Sequence, residues 1–272
     1  MTPHQLNYTD TGAASASPNT RPIVFVHGFS CDHSDWSAQV AHFSPQTRSI
    51  ACDLPGHGET SAEPGHQSIR AMGADVANLI TELDLTDAVL IGHSMGCRVV
   101  MQACLDVPNR VGALVFTDGS WIGQGDPEEK RKATVDKLRA GGFANIATGL
   151  FEQMFSEGAD PVFRQRALER VLARPAEYMT ELFGDLQAWD ASHLEYAVSH
   201  IDVPVLAIQS TFLNTEHQRV SIGDNDTTPW LDVLRAKAKA PTISIVPDVG
   251  HFNMVEAPGS VNAILEDFLA TL

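Results

Sequence analysis

The chain has 272 residues, 43% of them apolar, which suits one large α/β domain with an insertion. The formal net charge of −16 argues against nucleic acid or an anionic membrane as a partner, so we expect a small-molecule substrate. The four cysteines show no zinc-site spacing, and we expect neither a metal nor a cofactor. Residues 1–10 do not resemble a signal peptide and no apolar run suits a membrane span, so we expect a cytoplasmic protein. The possibility of a homo-oligomer stays open.

Short apolar runs recur along the chain, and helical patterns lie between them. Runs rich in Val, Ile and Leu without alternation are typical of strands that are covered on both faces. The predicted strands cover residues 23–26, 49–52, 88–91, 113–117, 203–208 and 242–246. The predicted helices between them cover residues 71–83, 96–106, 228–239 and 260–272. This alternation predicts an α/β protein with a parallel sheet and crossover helices.

One long segment, residues 126–200, interrupts the alternation. It shows only amphipathic helical patterns, at residues 128–140, 162–172 and 176–186. A segment of this length between two strands exceeds an ordinary crossover connection. We therefore predict a core domain made of residues 1–125 and 201–272, with residues 126–200 inserted as a helical cap over the carboxyl edge of the sheet.

The sequence GHSMG at residues 92–96 follows a predicted strand and precedes a predicted helix. In this context the chain turns sharply and Ser94 projects from the sheet, while Gly92 and Gly96 leave room for the neighbouring backbone. The start of the helix also directs free N–H groups towards the site, which favours negative charge. We predict that Ser94 is a nucleophile. The motif without its context also fits an ordinary glycine-rich turn.

A serine nucleophile needs a base within hydrogen-bond distance, and His251 is the best placed of the eleven histidines. It follows the last predicted strand, in a loop at the same sheet edge as Ser94. Asp118 ends the strand that follows the helix after Ser94. A carboxylate there would hold the tautomer of the histidine and stabilise the imidazolium. Three carboxylates in the loop of residues 214–226 stay open as alternatives, namely Glu216, Asp224 and Asp226.

Acyl transfer also needs N–H donors for the oxygen that becomes negative. Met95 offers one because it directly follows the nucleophile, and the N–H of Phe29 is the predicted second donor. Phe29 lies in the glycine turn after the first buried strand, and we expect His27 to brace that turn. The side chains predicted to line the substrate pocket, with core packing as the alternative for each, are His33, Trp36, Trp121 and Phe252.

Four ordered motifs together resemble the α/β-hydrolase fold superfamily: HGF at 27–29, DLPGHG at 53–58, GHSMG at 92–96 and GHF at 250–252. The resemblance covers residues 23–272 and implies a mostly parallel sheet flanked by helices, with an inserted cap. The four motifs are specific for the fold but carry little information about the substrate, because this fold hosts many reactions. In such proteins the acid usually follows the strand before the last one, where this chain has no carboxylate before Glu216.

The branch that these residues resemble most is that of serine esterases and lactonases. Haloalkane dehalogenases and epoxide hydrolases attack with an aspartate, and the meta-cleavage C–C hydrolases usually have a more glycine-rich oxyanion loop. The resemblance thus implies a serine hydrolase that cleaves a small apolar carboxylic ester or lactone through a Ser-His-Asp triad and an acyl-enzyme.

Two alternatives on the same fold stay open. Cofactor-independent dioxygenases that open N-heteroaromatic rings place their aspartate where Asp118 lies, and their early loop is similar to residues 29–33. They carry histidine where this chain has Cys31 and Met95. The other alternative is a non-catalytic receptor for a small molecule, although such proteins normally lack an intact triad.

Overall fold

A computed structural model describes residues 3–12, 20–214 and 218–272 of the chain. In these ranges the strands are β1 Asn7–Asp10, β2 Ile23–Val26, β3 Ser49–Asp53, β4 Ala88–His93, β5 Val111–Thr117, β6 Val205–Gln209, β7 Thr211–Leu213, β8 Arg219–Ser221 and β9 Thr242–Ile245. The α-helices are α1 Ser37–Phe43, α2 Ile69–Glu82, α3 Met95–Asp106, α4 Pro127–Gly141, α5 Phe143–Glu152, α6 Pro161–Ala173, α7 Ala176–Ser199, α8 Pro229–Lys237, α9 Asn253–Glu256 and α10 Pro258–Leu269.

Seven strands form one sheet in the order β1-β3-β2-β4-β5-β6-β9. Strand β1 is antiparallel to β3, and every other pair of neighbours is parallel. Strands β2 to β6 are buried along their whole length, as their continuous apolar runs require. The predicted α/β class with a mostly parallel sheet is confirmed. The carboxyl ends of β2, β4, β5 and β6 meet at one edge of this sheet.

Each predicted core strand is present, and the ends differ by at most two residues, as where β6 begins at Val205 instead of residue 203. The predicted core helices correspond to α2, α3, α8 and α10. The hairpin of β7 and β8 lies outside every predicted strand. Its strands are three residues long and only partly buried, so no apolar run marks them.

Helices α4 to α7 fill the segment between β5 and β6, where the sequence predicted helices only. Two of them begin in the same way, because Asp126 and Asp160 accept hydrogen bonds from the first turns of α4 and α6 and a proline follows each aspartate. The division into a core domain and a cap remains a prediction. None of the helices in the described ranges has the length and apolar character that crossing a membrane requires.

Candidate active site

Ser94 occupies a strained turn between β4 and α3. Its φ of 53° and ψ of −113° lie in a region that residues with a side chain rarely adopt. A Cβ atom on Gly92 would lie 2.4 Å from the carbonyl oxygen of Gly96, and one on Gly96 would lie 2.5 Å from that of Val26. Both glycines are therefore needed for the turn to pack against its neighbours.

The loop that follows β2 passes directly over this serine. A Cβ atom on Gly28 would lie 3.2 Å from the Cβ of Ser94, and Phe29 lines the same small cavity as Ser94. Met95 is the first residue of α3, and N–H groups in the first turn of a helix lack intrahelical partners. The two predicted oxyanion donors, Phe29 and Met95, thus flank Ser94, and their role remains a prediction.

His251 and Asp118 form a short hydrogen bond, with 2.5 Å between His251 Nδ1 and Asp118 Oδ2. Two backbone N–H groups donate to the other carboxylate oxygen, from Ser210 at 2.7 Å and from Thr211 at 2.8 Å. The hydroxyl of Thr211 donates to Oδ2 at 2.5 Å. The loop after β6, which carries the acid in most proteins with these motifs, here supplies donors to an acid that comes from β5.

The alternative carboxylates are placed differently. Glu216 lies outside the described residues, and Asp224 and Asp226 are exposed to solvent. Asp226 accepts a hydrogen bond from Gly223 N within its own loop. Among the carboxylates of the described chain, the structure gives Asp118 as the hydrogen-bond partner of His251.

Ser94 lies at the same sheet edge as this pair. The ring centroids of His93 and His251 are 4.6 Å apart, and His93 Nε2 donates to the carbonyl oxygen of His251 at 2.9 Å. The N–H of Ser94 donates to the carbonyl oxygen of Thr117, the residue before Asp118. The backbone of His251 is also fixed, because its N–H donates to the carbonyl oxygen of Met154 after α5 at 2.6 Å.

The surroundings of His251 favour its neutral form. Burial lowers its pKa well below the ordinary value of 6.5, and the positive charges of Arg219 and Arg98 lower it further. Burial raises the pKa of Asp118, while the charge of Arg219 and the hydrogen bonds from Thr211 oppose that rise. A neutral imidazole at neutral pH is the form that can take a proton from a hydroxyl group.

Two histidines hold the loop after β2 in place. His57 Nε2 accepts the N–H of Ser30 at 3.0 Å, and its Nδ1 donates to the carbonyl oxygen of Pro55 at 2.9 Å. His27 Nε2 accepts the N–H of Leu54 at 3.0 Å. Burial lowers the pKa of His27 to about 4 and that of His57 well below 6.5, so both rings are neutral acceptors at neutral pH. His57 belongs to the DLPGHG motif at residues 53–58, but the sequence did not predict this bracing role for it.

A buried arginine, Arg98, connects the turn at Ser94 to helix α7. Its Nε and Nη2 donate to the two carboxylate oxygens of Asp190 at 2.8 and 2.7 Å, the paired geometry typical of strong arginine–carboxylate contacts. Its Nη1 donates to the carbonyl oxygen of Ser94 at 3.0 Å, and its Nη2 to that of Ser120 at 2.5 Å. Neither member of this pair belongs to one of the sequence motifs.

A small cavity of about 40 Å³ lies at Ser94, next to a larger one of about 450 Å³. Both have apolar lining side chains from the helices between β5 and β6 and from the β7–β8 hairpin. Each also has charged ones, Arg98 and Arg219 in the small cavity and Lys130 and Lys137 in the larger one. The residues common to both linings are Ile122, Leu150, Phe183 and Leu213. These shared residues make the two cavities neighbours, although Ser94 lines the small one and is not among the lining residues of the larger one.

Of the four side chains predicted to line the pocket, Trp121 lines the larger cavity. The other three are placed elsewhere, which corrects the prediction for them. Trp36 is fully buried against a phenylalanine ring of β2, and His33 Nδ1 lies 2.9 Å from Asp53 Oδ1. Phe252 is fully buried among aromatic rings. The side chains of Trp36 and Phe252 point into the core, whereas that of His33 is partly exposed and is held by Asp53.

A further cavity lies at the opposite edge of the sheet. It has a volume of about 630 Å³, and its lining residues include Arg21, Arg48 and Leu272 but not Ser94. In the part of the chain that the structure describes, no group of three or more His, Cys, Asp or Glu side chains is arranged to hold a metal ion.

The family model described as "Alpha/beta hydrolase family" matches residues 23–264. The chain is 26% identical to the dihydrolipoyllysine-residue acetyltransferase component of the acetoin cleaving system of Pseudomonas putida, over 91% of this chain and 63% of that protein. It is 28% identical to a putative 2-succinyl-6-hydroxy-2,4-cyclohexadiene-1-carboxylate synthase of Bacillus subtilis, over 95% of this chain and 94% of that protein. The chain thus spans less than two thirds of the first of these relatives.

Solved structures of hydrolases share the fold. An esterase from Thermogutta terrifontis superposes with a TM-score of 0.78 and 23% identity, over 98% of this chain and 93% of that one. The enol-lactonase from Burkholderia xenovorans LB400 superposes with a TM-score of 0.76 and 22% identity, over 97% of this chain and 96% of that one. At these identities the likeness shows the fold alone.

Proposed function

Because the chain belongs to the α/β-hydrolase family, we propose that it is a serine hydrolase that cleaves a small apolar carboxylic ester or lactone. The observation that carries the proposal is the 2.5 Å hydrogen bond between His251 and Asp118 at the sheet edge where Ser94 makes its strained turn. A serine, a histidine and a buried carboxylate at one edge supply the nucleophile, the base and the group that orients the base.

The first half of the reaction forms an acyl-enzyme. Ser94 Oγ attacks the substrate carbonyl carbon while His251 Nε2 takes the hydroxyl proton, and Asp118 holds the Nδ1–H of the imidazolium. The carbonyl oxygen becomes negative between the N–H groups of Phe29 and Met95. When the tetrahedral intermediate collapses, the bond to the leaving alcohol breaks, and His251 returns the proton to that oxygen.

The second half repeats the same transfers with water. His251 takes a proton from water as its oxygen attacks the acyl carbon, and the oxyanion again lies against the two N–H groups. The bond from Ser94 Oγ to the acyl carbon then breaks, and the proton on His251 returns to the serine. The products are a carboxylic acid and an alcohol, or one hydroxy acid if the substrate is a lactone.

The larger cavity, which shares four lining residues with the small cavity at Ser94, supports an apolar substrate of modest size. Its volume of about 450 Å³ is in the range of about 300–1,000 Å³ that small-molecule sites occupy. Trp121, Phe183 and Leu150 contribute apolar surface to its lining, while Lys130 and Lys137 of α4 contribute charge. An ester with an apolar acyl or alcohol group fits this lining better than a multiply charged one.

Hydrolysis of p-nitrophenyl butyrate tests the proposal. We expect Ser94→Ala to lower kcat/KM by about 10⁴-fold or more, because the attacking oxygen is removed. Ser199→Ala is the matched control, since the Ser199 hydroxyl contacts only Tyr196 and His200 at the exposed end of α7, and it should leave the rate unchanged. Equal hydrolysis by Ser94→Ala and the unmodified protein would contradict a serine mechanism.

A second candidate function rests on the position of the acid. Asp118 follows β5, where the ring-opening dioxygenases of this fold place theirs, and it contacts His251. Oxygen uptake with a hydroxyquinolone, together with failure to hydrolyse esters, would favour that reaction. Tight ligand binding with neither kind of turnover would favour a receptor.

A further inference from the structure

An arginine from the β7–β8 hairpin lies beside the His251–Asp118 pair. The side chain of Arg219 is only 6% exposed, although β8 itself is partly exposed. Its Nη1 donates to Thr211 Oγ1 at 2.8 Å and lies 3.4 Å from Asp118 Oδ2 and 3.0 Å from His251 Nδ1. One guanidinium nitrogen is thus close to both members of the pair.

The proton positions define what this arginine does. At 2.5 Å from a carboxylate oxygen, His251 Nδ1 carries the proton and donates it to Asp118. Arg219 Nη1 is also a donor, so its contact with His251 Nδ1 joins two donors and is not a hydrogen bond. Its hydrogen bond goes instead to Thr211, whose hydroxyl proton points to Asp118.

We propose that Arg219 is a positioning residue of the active site, whose charge compensates the buried Asp118 carboxylate, orients it through Thr211 and opposes protonation of His251. This inference rests on the proposed function for its effect on catalysis. It concerns a residue of the β7–β8 hairpin, which lies outside the predicted strands.

Charged and titratable groups from five elements face the His251 loop. Asp118 follows β5, Arg219 begins β8, His93 ends β4 and Arg98 lies on α3. Glu256 of α9 accepts the N–H of Gly250 through Oε2 at 3.1 Å. The charge of Arg98 is paired with Asp190, and burial keeps His93 neutral by lowering its pKa well below 6.5. Arg219 is therefore the cation whose charge acts most directly on the pair.

Arg219 also lines the small cavity at Ser94, so a role in binding a substrate anion has to be separated from a positioning role. Its Nη1 is engaged by Thr211 and Asp118, and its Nε is buried without a hydrogen-bond partner in the described chain. A substrate-binding role predicts a raised KM for esters that carry a carboxylate. A positioning role predicts a lowered kcat for neutral esters as well.

The direct test follows the titration of His251 by NMR, with its signal assigned from its loss in His251→Gln. In the unmodified protein we expect a midpoint below 6.5. In Arg219→Gln we expect the midpoint to rise by about one pH unit or more, because a cation no longer opposes protonation. Arg219→Lys retains the charge and should keep a midpoint near that of the unmodified protein.

Hydrolysis of a neutral p-nitrophenyl ester gives the second readout. For Arg219→Gln we expect kcat to fall about tenfold or more with little change in KM, and the acid limb of kcat/KM to move to higher pH with the titration. Arg219→Lys should restore most of kcat. If the unmodified protein hydrolyses no ester, the proposed function fails, and the NMR titration still decides the role of Arg219.

Arg235→Gln on α8 is the matched control, because Arg235 is half-exposed, pairs with Asp232 and lines neither cavity at the candidate site. It should change neither readout. An unchanged His251 midpoint in folded Arg219→Gln would overturn the inference, as would a raised midpoint in Arg219→Lys. If Arg219→Gln does not fold, Arg219→Met removes the charge in its place, and an unchanged His251 midpoint in that variant would overturn the inference.

Discussion

At the scale of single residues, Asp118 is unusual for the way in which its charge is held. It lies at a positive φ of 46° directly after β5, and its N–H donates to the carbonyl oxygen of Ile208 in the next strand at 2.8 Å. Two N–H groups and the Thr211 hydroxyl donate to its carboxylate. This set of donors stabilises the ionised form inside the core, where an unpaired carboxylate would be strongly unfavourable.

Asp118→Asn tests the role of that charge. The amide keeps the size of the side chain but removes the charge. Its oxygen still suits the two backbone donors at Oδ1, so an NH2 donor takes the place of Oδ2, the acceptor that fixes the Nδ1–H tautomer of His251. We expect kcat on a p-nitrophenyl ester to fall by about 10³–10⁴-fold. Asp224→Asn, which changes an exposed carboxylate in the loop considered as an alternative source of the acid, should retain full activity. Full activity of Asp118→Asn together with loss of activity in Asp224→Asn would show that the acid comes from that loop instead.

The sequence predicted the backbone positions of candidate site residues better than the directions of their side chains. Ser94, His251 and Asp118 each follow a strand, and parallel strands bring their carboxyl ends to one edge. Trp36 and Phe252 also lie near that edge in sequence, yet both side chains point into the core. Because a turn of a few residues decides such a direction, the strand pattern carries no information about it.

At the scale of elements, Arg98 and Asp190 join helix α3, which follows Ser94, to α7 through a buried ion pair. Asp190 also accepts the N–H of Ile122 at 2.9 Å, so the segment after Asp118 is held by the same carboxylate. An ion pair of this kind matters most when one partner is lost, because the remaining charge is then buried without compensation.

We expect Asp190→Ala to lower the free energy of unfolding by about 3–5 kcal/mol, since it leaves the Arg98 guanidinium buried and unpaired. Urea unfolding followed by circular dichroism measures the change. Asp136→Ala is the control, because Asp136 pairs with Lys132 on the exposed face of α4, and its loss should cost less than about 1 kcal/mol. Equal effects of the two substitutions would show that the buried pair is not structurally important.

The elements that the sequence did not predict explain why part of the site was missed. Strands and helices of the core have long apolar patterns that a single sequence displays. The β7–β8 hairpin has none, and its contribution to the site depends on contacts between residues far apart in the chain, such as Arg219 and Asp118. Long-range contacts between polar side chains leave no periodic signal.

At the scale of the whole molecule, several histidines are buried in neutral form. Burial lowers the pKa of His27 to about 4 and those of His57, His93 and His251 well below 6.5. In the unfolded chain the same groups titrate near 6.5. Below that pH the unfolded chain therefore binds more protons at these positions than the folded protein does.

The contribution of these histidines to the free energy of unfolding should consequently be complete above pH 6.5. The free energy of unfolding should fall as the pH decreases below that value. Each of these histidines lowers stability by up to about 1.4 kcal/mol per pH unit in that range. The raised pKa of Asp118 opposes the loss further into the acid range. Urea unfolding at pH 7.5, 6.5 and 5.5 checks the sign, and stability that stays level or rises towards pH 5.5 would contradict it.

The bond between His251 N and the carbonyl oxygen of Met154 joins the C-terminal loop to the segment after α5. A Cβ atom on Gly250 would lie 2.5 Å from that same oxygen, so the two stretches of chain are in direct contact. Met154 also lines the small cavity at Ser94, so one short segment both borders that cavity and fixes the backbone of His251.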